Sequence, residues 1–134
     1  MAEVNFDKIF LDFIKKISPG NPLRTAINDL IRAELGALIV FDSPEIPKII
    51  EGGFKVNCRF SPQRLFELCK MDGAVIVSSD FRRILYANVL LTPDNTIHTN
   101  ETGTRHKAAE RTSKQANTLV IAVSQRKKKT TLFY

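Results

Sequence analysis

The sequence predicts an α/β domain built around a mixed sheet. Three observations carry this. Ala37-Leu38-Ile39-Val40-Phe41, Ala74-Val75-Ile76-Val77 and Leu119-Val120-Ile121-Ala122-Val123 are short, continuously apolar runs, the pattern of strands buried on both faces. Segments with apolar residues at helical spacing lie between them. Two neighbouring strand pairs are close enough in sequence to be hairpins, which makes the sheet mixed rather than wholly parallel. The 134 residues suit one domain with a self-sufficient core.

The elements follow in order. Phe6, Ile9, Phe10, Phe13, Ile14 and Ile17 mark an amphipathic helix, which Ser18-Pro19-Gly20 breaks. Asn21-Pro22 is an N-cap and first-turn pair, and Leu23, Ile27, Leu30 and Ile31 continue a second helix to Gly36. The strand Ala37–Phe41 follows. Ser43-Pro44 starts a short helix that Pro47 limits, and Gly52-Gly53 punctuates before a strand from Phe54 to Cys58. Ser61-Pro62 caps a helix whose apolar side is Leu65, Phe66, Leu68 and Cys69. Ala74–Val77 and Ile84–Leu91 are strands joined through Ser78-Ser79-Asp80. Thr92 to Gly103 is a polar loop, a helix runs from about Thr104 to Gln115, Leu119–Val123 is a buried strand, and Thr130 to Tyr134 is the last strand. The chain ends on an apolar strand, so a domain excised from a longer chain is the expectation.

Composition excludes some classes. Apolar and charged fractions are those of a folded globular protein. No apolar run approaches the ~20 residues of a membrane span, and the N-terminus lacks the basic-then-apolar order of a secretory signal. Cys58 and Cys69 have no metal-ligand or CxxC spacing and read as reduced structural thiols, so a cytoplasmic location is expected. The net charge of +6 favours anionic partners or a solvated basic face, and part of it sits in Arg126-Lys127-Lys128-Lys129.

Three places can carry chemistry. Asp72-Gly73-Ala74 precedes a buried strand. It reads as a carboxylate that binds a divalent metal or activates a hydroxyl, or as a plain turn, and on these residues alone the turn is the better reading. Glu101-Thr102-Gly103-Thr104-Arg105-His106-Lys107 enters a helix. Free N–H groups at a helix start attract anions, and three cationic side chains there oppose the helix dipole unless an anion compensates them. Phosphate binding is the better reading here, against an exposed charged helix start. The arrangement is not a Walker A loop. Ser124 to Lys129 follows a buried strand and offers a second phosphate contact or a solvated basic turn.

Met71-Asp72-Gly73-Ala74 and, about thirty residues on, Gly103-Thr104-Arg105-His106-Lys107-Ala108-Ala109-Glu110-Arg111 resemble the two signature motifs of the diadenylate cyclase family. Ile17-Ser18-Pro19-Gly20, Tyr86-Ala87-Asn88-Val89 and Glu101-Thr102-Gly103 resemble its DNA-integrity scanning branch in particular. The similarity covers essentially the whole chain.

The resemblance implies a twisted mixed sheet of about seven strands flanked by about five helices. It implies an enzyme that condenses two ATP into cyclic di-AMP and two pyrophosphates. Each domain holds one ATP, and each 3′-hydroxyl attacks the α-phosphate of the nucleotide on the opposite chain. Asp72 matches the motif aspartate, as ligand of Mg²⁺ or Mn²⁺ and aid to deprotonation. Gly73 packs under the nucleotide, and the backbone of Leu91 meets the adenine. Thr104, Arg105, His106 and Lys107 bind the triphosphate, with Arg105 and His106 counted as catalytic. Ala108 is counted with the ATP-binding positions, although it lacks the hydroxyl some relatives carry. Ser124 and Arg126 are further phosphate candidates. A face-to-face homodimer is the minimum for turnover, with an octamer expected of the longer protein. DNA contacts in that branch belong to a C-terminal region, and no membrane contact is expected.

One departure stands out. Lys107 occupies the second arginine of the family's Arg-His-Arg block. Lysine keeps the charge and loses the bidentate fork, which costs about 1 kcal/mol if the arginine clamps a phosphate. Activity is expected to survive it. The alternative function is a nucleotide-binding sensor of the same fold without turnover. A nucleic-acid module is a third reading, but base-reading signatures are missing, so weak, salt-sensitive DNA binding is the most expected of this chain.

Overall fold

A computed structural model describes residues 15, 20–124 and 129–134. The amphipathic helix expected over Phe6 to Ile17 lies outside these residues, apart from Lys15, as does Arg126. Among the described residues the order is α1 (Pro22–Arg32), β1 (Ala37–Phe41), α2 (Ile46–Ile49), β2 (Ile50–Glu51), β3 (Phe54–Arg59), α3 (Pro62–Cys69), β4 (Ala74–Val77), β5 (Arg83–Leu91), α4 (Thr104–Ala116), β6 (Val120–Ser124) and β7 (Lys129–Phe133). The class is the one expected, with seven strands; four helices are described against about five expected.

The strand order is β2-β5-β4-β1-β6-β7, with β3 also paired to β5. Only β1 and β4 run parallel; every other pairing is antiparallel. β2 and β3 lie end to end along one edge of β5, separated by Gly52-Gly53. Side-chain alternation along the strands divides the core in two. Ile39, Phe41, Val75, Val77, Ile121 and Val123 face Leu23, Ile27 and Leu30 of α1 and Leu65 and Cys69 of α3. Leu38, Val40, Ala74, Ile76, Val120 and Ala122 face Ile46 and Ile49 of α2 and Ala109 and Ala116 of α4. Both faces are therefore covered, which is why the strands read as continuous apolar runs. Burial pushes the Cys69 thiol up to about 12, and both cysteines are free, as expected.

Two of the caps are the ones the sequence announces; the short helix instead starts at Ile46, with Glu45 at its cap and Pro47 inside its first turn rather than at its limit. Asn21 Oδ1 accepts from Leu23 N–H at 3.2 Å, and Ser61 Oγ accepts from Arg64 N–H at 3.1 Å. Gly36, however, does not end α1. The helix stops at Arg32 with Ala33 as its C-cap, and Glu34, at φ 59°, makes the left-handed turn. β2 is an addition to the expected strands, only two residues long and held by β5.

β5 carries a bulge at Asn88, whose φ is 56°. Two glycines close on it from opposite sides. A Cβ on Gly53, at φ +79°, would lie 2.6 Å from the Ala87 carbonyl oxygen, and one on Gly73, at φ +87°, would lie 2.5 Å from that of Val89. Neither distance is open to a real side chain, so both positions need glycine on steric and conformational grounds.

Candidate nucleotide site

The sheet register assembles the site. Leu38 pairs with Ala74, Ala74 with Val89, and Ala37 with Val123. The residues just before β1 and β4 and just after β5 and β6 therefore share one end of the sheet. That end presents, in order across the strands, Leu91, Asp72-Gly73, Gly36 and Ser124. At a strand spacing of about 4.8 Å, Leu91 and Ser124 stand roughly 14 Å apart.

Helix α4 delivers its first turn to this end. Gly103 is its N-cap, makes no side-chain cap bond, and no acidic residue lies in the first turn. The Lys107 N–H donates to the Gly103 carbonyl at 2.9 Å, the first bond of the helix. The Arg105 guanidinium lies against Gly36, occupying the space a Cβ there would need. Gly36 is thus part of the site, a role the sequence did not disclose. Its only signal is a glycine placed directly before a buried strand.

The other motif residues take distinct positions. His106 is half-buried, edge-on to the Phe133 ring with centroids 6.1 Å apart. Its Nδ1 lies 3.8 Å from where a Cβ on Gly103 would stand. Thr104 is exposed, Lys107 is half-buried, and Ala108 packs against the core under α4. The Leu91 side chain is buried, so what that residue offers at the sheet end is backbone. Ser124 is half-buried at the end of β6, paired with Lys129 of β7. Asp72 is exposed, and among the described residues no hydrogen bond or ion pair engages its carboxylate.

The loop entering α4 is tied down from the helix itself. Arg111 Nε donates to the Ile97 carbonyl at 3.0 Å and Lys114 Nζ to that of His98 at 3.0 Å, while Gln115 Oε1 accepts from Asp94 N–H at 2.7 Å. Asp94 in turn accepts from the N–H and hydroxyl of Thr96 at 2.9 and 2.7 Å, bonds that hold its carboxyl below the usual range. The loop therefore reaches Gly103 on a fixed path.

No group of three or more His, Cys, Asp or Glu side chains able to cage a metal occurs among the described residues. A lone exposed carboxylate fits an ion such as Mg²⁺, which is commonly held by one or two carboxylates plus substrate phosphates and water. None of the described helices is long and apolar enough to cross a membrane.

Comparison with known proteins places this arrangement. The family model described as "DisA bacterial checkpoint controller nucleotide-binding" matches residues 24–134. DNA integrity scanning proteins DisA from Symbiobacterium thermophilum and from Clostridium kluyveri are each 48% identical to the chain, over 92% and 95% of it. The chain spans 36% of the length of each. Among solved structures, a hypothetical membrane-spanning protein from Bacillus cereus superposes with a TM-score of 0.73 at 29% identity, covering 84% of this chain and 57% of that one. DacA from Staphylococcus aureus, a double mutant, superposes at 0.68 and 23% identity over 84% of this chain and 79% of its own, a likeness of fold. With its two motifs brought to one end of the sheet, the chain belongs to the diadenylate cyclase domain family, in the DNA-integrity scanning DisA branch.

Proposed function

We propose that residues 1–134 form a catalytic domain that condenses two ATP into cyclic di-AMP and two pyrophosphates, working as a pair of chains in the cytoplasm. The observation that carries this is the strand register taken with the Arg105–Gly36 contact: together they set an unengaged carboxylate, Asp72, at the same sheet end as the close of β5 and a cation-bearing helix start without a side-chain cap. The adenine lies toward the Leu91 backbone and Gly73. The triphosphate lies at Gly103–Lys107, with Ala108, Ser124 and Arg126 as further contacts.

Each side chain has a separate task. Asp72 would hold Mg²⁺ or Mn²⁺, and its carboxylate accepts a hydrogen bond from the ribose 3′-hydroxyl, orienting it toward the α-phosphate bound by the opposite chain. The ion, when bound, makes a coordinated hydroxyl easier to deprotonate. Arg105, seated over Gly36, and His106, backed by Phe133, supply fixed donors to charge that builds on the departing pyrophosphate. Lys107 adds a point charge. Most of the acceleration comes from positioning and electrostatics, as in other phosphoryl chemistry. One chain holds half of the reacting pair, so turnover requires a homo-oligomer with two sites face to face.

The test is direct. The chain is incubated with ATP and either metal, and cyclic di-AMP is sought by mass spectrometry, for the parent and for Asp72→Asn. The parent makes product, and the variant loses at least about a hundredfold, the usual scale for a group that assists proton removal. ATP binding without product under either metal supports the sensor reading instead. Product from the variant at the parental rate removes Asp72 from the mechanism.

A further inference from the structure

Gly36 differs in kind from the other glycines of the chain. Gly53 and Gly73 lie in the left-handed region and face backbone carbonyls. A Cβ on Gly20 or Gly52 would meet nothing within 4 Å, and one on Gly103 would make only an ordinary contact. The φ of Gly36 is open to other residues, so its backbone does not require glycine. What fills the space beside it is the Arg105 head group. The atoms nearest to a Cβ there would be Nη1, the closest, then Cζ at 2.9 Å and Nη2 at 3.1 Å.

The seat is rigid and the head group is otherwise free. Gly36 leads directly into β1, which pairs with β4 on one side and β6 on the other. It therefore stands at the middle of the sheet. Arg105 is exposed in the first turn of α4, and among the described residues no hydrogen bond or ion pair engages its guanidinium. Packing against Gly36 places the fork while its N–H donors stay unspent.

We propose that Gly36 is a positioning residue for the triphosphate: its bare backbone seats the Arg105 guanidinium where the fork reaches the outer phosphates of ATP, and so sets the preference for a triphosphate over a monophosphate. This role rests on the triphosphate site proposed above at the start of α4. A methyl group on Gly36 leaves Arg105 its charge and its fork and removes only its place. The head group then retreats by on the order of 1 Å to regain ordinary contact distances. A side chain seated in advance has less freedom to lose when ligand arrives, and fixed donors need no reorganisation as charge develops. A displaced guanidinium gives up both advantages. The fold tolerates the change, because the obstructing atoms are the free end of a flexible side chain. Alanine also narrows the unfolded ensemble relative to glycine. Stability and nucleotide preference therefore part company at this position.

A double-mutant cycle tests this. ATP and AMP are titrated calorimetrically, without divalent metal, into the parent, Gly36→Ala, Arg105→Gln and the double variant, and the thermal midpoint of each is measured. Gly36→Ala keeps its AMP affinity and a midpoint at or above the parental value, while its preference for ATP over AMP falls about tenfold. Added to Arg105→Gln, the same substitution lowers the preference no further, because the head group it displaces is already gone. Parental preference in Gly36→Ala, with loss in Arg105→Gln, overturns the seat and leaves the triphosphate site standing. Further loss in the double variant, equal loss of ATP and AMP affinity in Gly36→Ala, or a midpoint well below the parental one overturns it too, since the methyl then disturbs more than the guanidinium. No preference in the parent, or one undiminished in Arg105→Gln, overturns the triphosphate site and the seat together.

Discussion

The two ends of α4 are built on opposite terms. At its C-terminus the protein ties down the cap and the backbone around it, although the buried Thr112 hydroxyl has no hydrogen-bond partner. Asn117 adopts the left-handed conformation at φ 52° and its N–H returns to the Ser113 carbonyl. Ser43 Oγ donates to the Ala116 carbonyl at 3.0 Å, Ser113 Oγ to that of Thr118 at 2.9 Å, and Thr118 Oγ1 to that of Phe41 at 2.7 Å. At its N-terminus a glycine stands at the cap, and cationic side chains oppose the dipole. Helices α1 and α3 carry Asn21 and Ser61 at that same position. The chain can therefore cap a helix start, and at α4 it does not. The closed end serves stability; on the proposed function the open end is left to the triphosphate.

Substitutions at the two ends sharpen this contrast. Thr118→Val at the closed end has the largest expected effect on stability. It removes the buried hydrogen bond from the Thr118 hydroxyl to the Phe41 carbonyl and costs about 0.5–1.5 kcal/mol, read by chemical denaturation. ATP affinity, measured calorimetrically on the folded variant, stays at the parental value. A drop in ATP affinity there would mean that the two ends are not independent.

Gly103→Asp at the open end has a smaller and opposite effect. The Gly103 backbone, at φ −83° and ψ 144°, accepts any side chain, and its Cβ would meet only His106 Nδ1 at 3.8 Å. An aspartate caps the helix and complements the dipole, which raises stability by about 0.5–1 kcal/mol. It also sets a negative charge at the proposed triphosphate site, so ATP affinity is expected to fall. A variant gaining stability with ATP binding intact would mean that the uncapped start is not a phosphate site.

Much of the fold was legible because local chemistry decides it. Asn21 and Ser61 are caps with mechanisms, and the apolar runs of β1, β4 and β6 need no partner to be recognised. What escaped depends on contacts distant in sequence. β2 is two residues that β5 makes into a strand. The end of α1 is set by Glu34 in a left-handed turn, not by the glycine two residues later. The bulge at Asn88, which explains both Gly53 and Gly73, exists only once β3 and β4 are paired with β5. The motif residues stood out in the sequence as two separate blocks. That Asp72 and Gly36 share one sheet end follows from the strand register, and that the Arg105 guanidinium rests on Gly36 follows from the packing of α4 against that end.

The central claim is that the open end of α4 binds a triphosphate. Titration calorimetry of ATP against AMP, without divalent metal so that turnover does not intervene, tests it most directly in the parent and in Arg105→Gln. The account predicts that the parent binds ATP more tightly than AMP, and that Arg105→Gln loses most of that preference while keeping its AMP affinity and thermal midpoint. Equal affinity of the parent for the two nucleotides, or a preference undiminished in the variant, would contradict it.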